Sequence, residues 1–205
     1  YLFSVNYYNE NGILNDNNYE RVSIRSNNEY RVSDKLKFGN NIGITRWNSN
    51  NKPFSLFTDA YNAAPIYNAK NPDGTYGFTP LSDVGNPLAK LELTDDKTWG
   101  NRFMGNLYGD LKLKKNLSFR SAFGLDYDNS RGANYQQRYR VSATQKYDTT
   151  TLTQSEMEKY RWIWDNTLTY TPTLKKGHNL SILAGHTAER YDGFEQSFKL
   201  DGVPF

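Results

Sequence analysis

Seven stretches of this chain alternate apolar and polar residues, and the joins between them are alternately short and long. The clearest stretch, 117–128, reads Leu-Ser-Phe-Arg-Ser-Ala-Phe-Gly-Leu-Asp-Tyr-Asp and has the period of a β-strand. The short joins are polar turns at 33–35, 114–116 and 175–179, and the longer ones lie at 11–18, 48–98 and 129–159. Tight turns at one end and long loops at the other are typical of an up-and-down barrel that crosses a membrane.

The predicted fold class is therefore all-β, a transmembrane antiparallel β-barrel of which this chain supplies about seven strands. We predict these strands near 1–10, 18–32, 36–47, 99–113, 117–128, 160–172 and 179–190, with no helix longer than about ten residues. The apolar edges predict four lipid-facing residues: Phe119, Phe123, Leu168 and Ile182. Six polar residues interrupt the same edges: Ser26, Asn28, Asn40, Asn101, Ser121 and Asn166.

The composition fits this interpretation but leaves a second one open. Only 37% of the residues are hydrophobic and the mean hydropathy is −0.84, yet the chain has 16 Tyr, 11 Phe and 4 Trp. A membrane barrel needs apolar side chains only at alternate strand positions, and its aromatic residues concentrate at the two membrane interfaces. An outer aromatic girdle is predicted from residues beside the long loops: Tyr19, Trp47, Trp99, Tyr127 and Tyr160. The alternative is a soluble β-rich module that binds glycans.

Several other classes are disfavoured by the sequence. The chain has no cysteine, which excludes disulfides and zinc–thiolate sites, and its net charge of +3 includes no basic block suited to nucleic acid. Its two histidines, His178 and His186, belong to no catalytic triad pattern. The segment 126–137 begins like a calcium loop, but Arg131 and Gln137 occupy the positions of the required Gly and Glu. We predict no enzyme activity, no metal and no cofactor.

The loop 48–98 is too long for a simple connection and is expected to carry function. Its segment 54–65 predicts one or two helical turns ending at Pro65. Four aromatic residues follow or lie within it: Tyr61, Tyr67, Tyr76 and Phe78. They are predicted to contact a substrate or a partner, or else to pack the loop against itself.

Local motifs distributed along the whole chain identify a candidate family. They are 8–13 (Tyr-Asn-Glu-Asn-Gly-Ile), 19–27, 86–89 (Asn-Pro-Leu-Ala), 164–170 (Trp-Asp-Asn-Thr-Leu-Thr-Tyr) and 177–186. In order and spacing they resemble SusC/RagA-type TonB-linked transporters, which import glycans or peptides through the bacterial outer membrane. The resemblance implies a barrel of about 22 strands, of which this chain is an internal fragment. Seven strands alone would leave two unpaired edges in lipid.

The resemblance also implies partners that this chain does not contain. A SusD-like surface lipoprotein would cap the barrel as a lid, and the TonB complex would act through a plug inside it. The aromatic residues of the long loop could then contact the lid. Charged residues on the polar edges would pair with one another or contact the plug or substrate: Arg21, Arg25, Arg31, Arg102, Asp110, Arg120, Asp126, Arg161 and Asp165.

Overall fold

The structure is a computed structural model that describes residues 1–80, 83–174 and 177–204. Its main element is a single seven-stranded sheet in which every strand is antiparallel to its neighbours, in the order β1-β2-β3-β4-β5-β8-β9. These strands are β1 Leu2–Asn11, β2 Asn18–Arg31, β3 Leu36–Asn51, β4 Thr94–Lys114, β5 Leu117–Gln136, β8 Thr151–Tyr170 and β9 Ile182–Asp201. The predicted all-β, up-and-down architecture is confirmed, and the sheet is open because β1 and β9 do not pair with each other.

Two joins at one end of the sheet are tight turns, and the first is closed by local hydrogen bonds. Between β2 and β3, the amide of Val32 donates to the carbonyl of Leu36, and the Ser33 hydroxyl accepts from the amides of Lys35 and Leu36. The ladder between β4 and β5 is irregular between Lys112 and Lys114, immediately before the turn. Part of the predicted join at 175–179 lies outside the described residues.

The remaining elements lie in the two long connections. The first contains the helices α1 (Ser55–Asn62) and α2 (Pro87–Glu92), and the second contains the hairpin of β6 (Tyr139–Arg140) and β7 (Lys146–Tyr147). Helix α1 lies within the segment where the sequence predicted helical turns. We call the two connections together the loop cap.

The only buried hydrophobic cluster in the described part of the chain lies in this loop cap. Ala89, Tyr139 and Val141 are buried together, and Tyr76 and Leu93 pack against them. The sheet itself has no core on either face. Val5 is 61% exposed and Ile182 is 51% exposed, although both belong to the apolar edges of their strands.

The predicted bounds of the two long loops were wrong. The loop 48–98 shortens to residues 52–93, and the loop 129–159 shortens to residues 137–150, because β3, β4, β5 and β8 all extend further than predicted. The predicted ends marked the limits of apolar alternation. Backbone pairing continues past those limits without regular alternation, as in the pairing of Asn129 with Glu158 on one face and of Asn134 with Thr153 on the other.

Among the described residues, the structure contains no helix long and apolar enough to cross a membrane.

Candidate functional site

The strand register separates the side chains of the sheet into two faces. Directly paired residues project to the same face, and successive residues along a strand alternate. One row on the first face consists of Val5, Ile24, Ile44, Phe103, Tyr127 and Tyr160. A neighbouring row on the opposite face consists of Ser4, Arg25, Gly43, Met104, Asp126 and Arg161. We call these the apolar face and the polar face.

The upper limit of the apolar face moves along the strands from β1 to β9. Above the apolar rows, towards the long connections, the first charged or amide residues are Asn9, Glu20, Arg46, Asn101, Asn129, Glu158 and Arg190. Relative to the pairing rows, this limit moves by two residues between β2 and β3 and by four between β8 and β9. A level membrane boundary on strands tilted by about 35–45° moves by about one residue per strand. The observed drift is six residues in total over six steps, confined to the β2–β3 and β8–β9 pairs, so its total matches that geometry.

Four of the six polar residues that interrupt the apolar face have side-chain hydrogen-bond partners: Ser26, Asn28, Asn40 and Ser121. The amide nitrogen of Asn28 donates to the Ser26 hydroxyl at 2.8 Å and to the amide oxygen of Asn40 at 3.3 Å. The indole nitrogen of Trp164 donates to the Ser121 hydroxyl at 3.0 Å. An unpaired polar group in an apolar medium costs several kcal/mol, so this pairing makes these interruptions of the apolar face tolerable.

Cross-strand ion pairs cover the polar face on β4, β5, β8 and β9. Arg102 binds Asp126 through two hydrogen bonds of 3.1 and 2.8 Å. Arg120 pairs with Asp110 at 3.2 Å, and Arg161 pairs with Glu189 at 2.7 Å. Exposed pairs of this kind contribute about 0–1 kcal/mol each. Their main effect is to neutralise the charges on this part of the face.

The arginines on β2 differ from those on the later strands. Arg21, Arg25 and Arg31 form no ion pair with any described residue, although all three lie on the polar face. The Arg21 guanidinium lies 5.6 Å from the centre of the Tyr8 ring, as a cation–π contact requires. Arg21 and Arg25 therefore leave uncompensated positive charge on the first part of the polar face.

Asn86 organises the loop cap. Its side-chain oxygen accepts from the amides of Leu88 and Ala89 and so caps the N-terminus of α2. Its side-chain nitrogen donates to the carbonyls of Ala69 at 2.7 Å and Gly77 at 3.1 Å. One buried amide thus connects three segments of the loop cap.

A second polar cluster, near the surface of the loop cap, connects helix α2 to the segment that contains Lys70 and Tyr76. Glu92 accepts from the ammonium of Lys70 at 2.8 Å and from the Tyr76 hydroxyl. These two hydrogen bonds lower the pKa of Glu92, that from Lys70 having the larger effect. Burial, together with the neighbouring Glu92, raises the pKa of Tyr76 to about 12. Burial also raises the pKa of Tyr139 to about 12.

Comparisons with known proteins agree with this architecture. No family model matches the chain. It is 28% identical over 199 residues to TonB-dependent receptor P26 of Formosa agariphila, and 26% identical over 208 residues to TonB-dependent receptor P3 of the same organism. Each alignment covers 93% of this chain, but only 19% and 20% of the respective relative. The chain thus spans about a fifth of the length of these relatives.

Solved structures give the same fold. The chain superposes on the RagAB peptide transporter with a TM-score of 0.77 and 18% identity, covering 97% of this chain and 23% of that one. The open-open state of the RagAB peptide importer gives a TM-score of 0.77 with 17% identity, covering 96% of this chain and 23% of that one. The chain is similar to TonB-dependent receptors over nearly its whole length and has the fold of part of the RagAB peptide transporter.

Within this seven-stranded sheet, the predicted aromatic girdle divides between the two faces. Trp99, Tyr127 and Tyr160 lie on the apolar face. Tyr19 and Trp47 do not, because their register positions place them with Arg21 on the polar face. Their rings stack on each other, with centres 6.5 Å apart. Including them in one girdle was wrong, since proximity to a long loop fixes the height of a residue but not its face.

The four residues predicted to face lipid share the apolar face. Phe119 lies directly opposite Leu168, and Ile182 lies opposite Tyr170 on the same face. The Phe123 ring stacks against that of Trp162, with centres 6.2 Å apart. No part of the described chain covers these side chains.

The four loop aromatics do not form one surface. Tyr76 packs against the loop core and bonds Glu92, which corresponds to the self-packing alternative. Tyr67 lines a small recess with Ala60 and Pro87. Tyr61 is 90% exposed and Phe78 is exposed. The Asn-Pro-Leu-Ala motif at 86–89 marks a family resemblance in the sequence, but the sequence alone does not predict that Asn86 links the segments of the loop cap.

Within residues 1–80, 83–174 and 177–204, no group of three or more His, Asp or Glu residues could hold a metal ion.

Proposed function

We propose that the longer protein to which this stretch belongs imports glycans or peptides across the outer membrane. One observation carries the proposal: the sheet has an uncovered apolar face for lipid and an ion-paired polar face for a water-filled interior. The names of the relatives as TonB-dependent receptors support this function. The RagAB structures, described as a peptide transporter, favour peptides among the possible substrates.

The proposed mechanism assigns this stretch to the wall of the pore. Energy would come from the TonB complex acting through a plug domain inside the barrel, and a SusD-like lipoprotein would close its outer end. The loop cap would lie on the extracellular side, where Tyr61, Tyr67 and Phe78 could contact the lid or the substrate. Tyr76 contributes to the stability of the loop cap instead, because its ring packs inward.

Deletion of the full-length gene tests import directly. The deletion strain should lose growth on, or uptake of, either oligopeptides or a glycan as sole nutrient, and the complete gene should restore it. An uncoupler of the inner-membrane proton gradient should abolish the same uptake. Unchanged uptake of peptides and of glycans in the deletion strain would contradict the proposal.

The soluble glycan-binding module is the second candidate, and no observation on the sheet favours it. A soluble sheet buries one face against another layer, whereas both faces here are uncovered and both edge strands are unpaired. If the 205-residue chain is expressed alone, it should aggregate without detergent. A monodisperse, folded monomer in detergent-free buffer would support the soluble module.

A further inference from the structure

A buried lysine lies at the base of the loop cap, where the cap meets the sheet. Lys52 follows the last residue of β3, and only 3% of its side chain is exposed. Its ammonium donates to the carbonyl of Leu91 at 3.2 Å and to that of Thr94 at 3.0 Å, and a carboxylate oxygen of Asp95 lies 3.6 Å away. A buried cation is costly unless it is paired and hydrogen-bonded, so these contacts hold the side chain in place.

The Lys52 side chain joins the two ends of the first long connection. That connection starts at Lys52 and returns through α2 to Thr94, the first residue of β4. Leu91 lies in the last turn of α2, where backbone carbonyls have no partner within the helix. By bonding both Leu91 and Thr94, the ammonium closes the connection at its base and orients the end of α2 on the sheet.

A glutamine attaches the second long connection to the same place. Gln136 is the last residue of β5, and its side-chain nitrogen donates to the carbonyl of Leu93 at 3.2 Å. Its side-chain oxygen accepts from the hydroxyl of the buried Thr94 at 2.8 Å, and the amide of Gln137 donates to the Leu93 carbonyl at 3.0 Å. The ends of three strands thus meet at residues 91–94. We call the contacts of Lys52 and Gln136 with these residues the basal clasp.

Beyond the basal clasp, the two connections are bonded to each other. The amide of Thr79 in the first connection donates to the carbonyl of Val141 in the second at 2.8 Å. The hydroxyl of Thr144 donates to the carbonyl of Asp83 at 2.9 Å. Thr79 also forms a β-bridge with Ser142, and both residues are buried. Segments open independently where buried contacts are few, so these contacts favour movement of the two connections as one body.

We propose that the two long connections form one rigid block, which the basal clasp fixes to the end of the sheet, with Lys52 as the main positioning residue. Long loops are ordinarily more mobile than the strands they join. The clasp removes that mobility here and holds the exposed Tyr61 and Phe78 at fixed places relative to the sheet. Any opening motion of the longer protein then takes place outside this block. The proposal concerns the mechanics of the loop cap and holds whatever the longer protein imports.

Distances between pairs of spin labels test the proposal in the full-length protein, reconstituted in vesicles with any cysteines of its own replaced by serine. The first pair, Asn62→Cys with Asn101→Cys, reports the position of the loop cap relative to the sheet. The second pair, Asn62→Cys with Ala143→Cys, reports the shape of the loop cap itself. All three positions are exposed. Without further substitution, double electron–electron resonance should give a narrow distance distribution for both pairs.

Removal of the clasp should affect the two pairs differently. Lys52→Met keeps an unbranched apolar stem but loses the ammonium, so the first pair should broaden and shift while the second stays narrow. Adding Gln136→Leu should broaden the first pair further. Lys97→Met is the matched control, because Lys97 also lies near Asp95, at 3.8 Å, but 59% of its side chain is exposed. This control should leave both distributions narrow.

Four results would overturn the proposal. A broad first-pair distribution before any clasp substitution would show that the loop cap moves freely, and an unchanged one in the Lys52→Met/Gln136→Leu double variant would show that the clasp does not hold it. Broadening of both pairs would mean that the clasp residues fold the cap instead of fixing it. Failure of the variants to assemble, seen as loss of heat-modifiable gel mobility, would place their role in the sheet. Growth of the deletion strain tests import separately.

Discussion

At the scale of single residues, adjacent positions on one strand have opposite environments. Asn40 bonds Asn28 on the apolar face, and its neighbour Asn41 has no partner on the polar face. Two glycines on the polar face of β3, Gly39 and Gly43, also differ in the space beside them. The Tyr108 ring lies over Gly39, where a Cβ would come within 2.3 Å of it, whereas Gly43 leaves its space open. A single residue type therefore has a packing role at one site and leaves a cavity at another.

Phe123 and Ala122 provide a matched pair for the cost of charge on each face. Phe123→Arg should destabilise the full-length protein by about 2–4 kcal/mol, because it places a cation on the lipid side near mid-bilayer. Ala122→Arg should cost less than about 1 kcal/mol, since Ala122 lies opposite Asp165 on the polar face. Denaturant unfolding in lipid vesicles measures both. A similar cost for the two variants would contradict the assignment of faces.

Ile182→Arg should be milder than Phe123→Arg. Ile182 begins β9, opposite Tyr170 and close to the join with β8. Arginine near a membrane interface costs about 0–1 kcal/mol. The same unfolding measurement therefore reports the depth of each position as well as its face.

At the scale of elements, alternation predicted the seven strands because one face needs apolar side chains at every second position. It could not predict where β5 ends or where β8 begins, because residues such as Asn129 and Glu158 pair through their backbones without apolar side chains. The girdle prediction placed Tyr19 on the wrong face, because it used proximity to a long loop and not the alternation of the strand. The difference between Gly39 and Gly43 was not predictable, since it depends on which side chains the register brings beside each glycine.

The loop cap depends on Asn86, which caps α2 and bonds two distant carbonyls. Asn86→Ala should destabilise it locally by about 1–3 kcal/mol, because the cap is lost and buried groups are left unpaired. Amide hydrogen exchange should accelerate over residues 83–93 and remain unchanged in β4 and β5. Asn62→Ala, at the exposed end of α1, is the control and should change neither. Unchanged exchange in Asn86→Ala would refute its organising role.

The loop cap should also loosen at both extremes of pH. Tyr76 and Tyr139 have pKa values raised from 10.0 to about 12, so their contribution is complete below pH 10 and is lost as the pH rises from 10 to 12. The lowered pKa of Glu92 gives a contribution that is present above its ordinary value of 4.5 and is lost as the pH falls through the lowered value. Protection factors of α2 amides should fall in both ranges.

Substitutions separate the two limbs of this pH dependence. Tyr139→Phe should reduce the alkaline loss, and Glu92→Gln should remove the acid loss. Tyr61→Phe, on the exposed surface of α1, should alter neither limb. If the alkaline transition of both Tyr139→Phe and the Tyr76→Phe/Tyr139→Phe double variant is the same as that of the unsubstituted protein, other groups control it.

At the scale of the whole molecule, one surface of the sheet is suited to lipid and the other to water. The drift of the apolar limit by six residues from β1 to β9 fits tilted strands crossing a level boundary. The polar face is neutralised on its later strands and positive on β2. Together these features describe a segment of pore wall with lipid outside and a charged, asymmetric interior.

The most direct test of this description is a spin-label scan of residues 117–127 in the full-length protein reconstituted in vesicles. This stretch has no native cysteine, and replacing any cysteine elsewhere in the full-length protein with serine allows each position to be labelled singly. We predict that accessibility to oxygen, which dissolves in lipid, peaks at the odd positions and that accessibility to a water-soluble nickel complex peaks at the even positions. Oxygen and nickel accessibilities that vary in phase, or that show no two-residue period, would contradict the account.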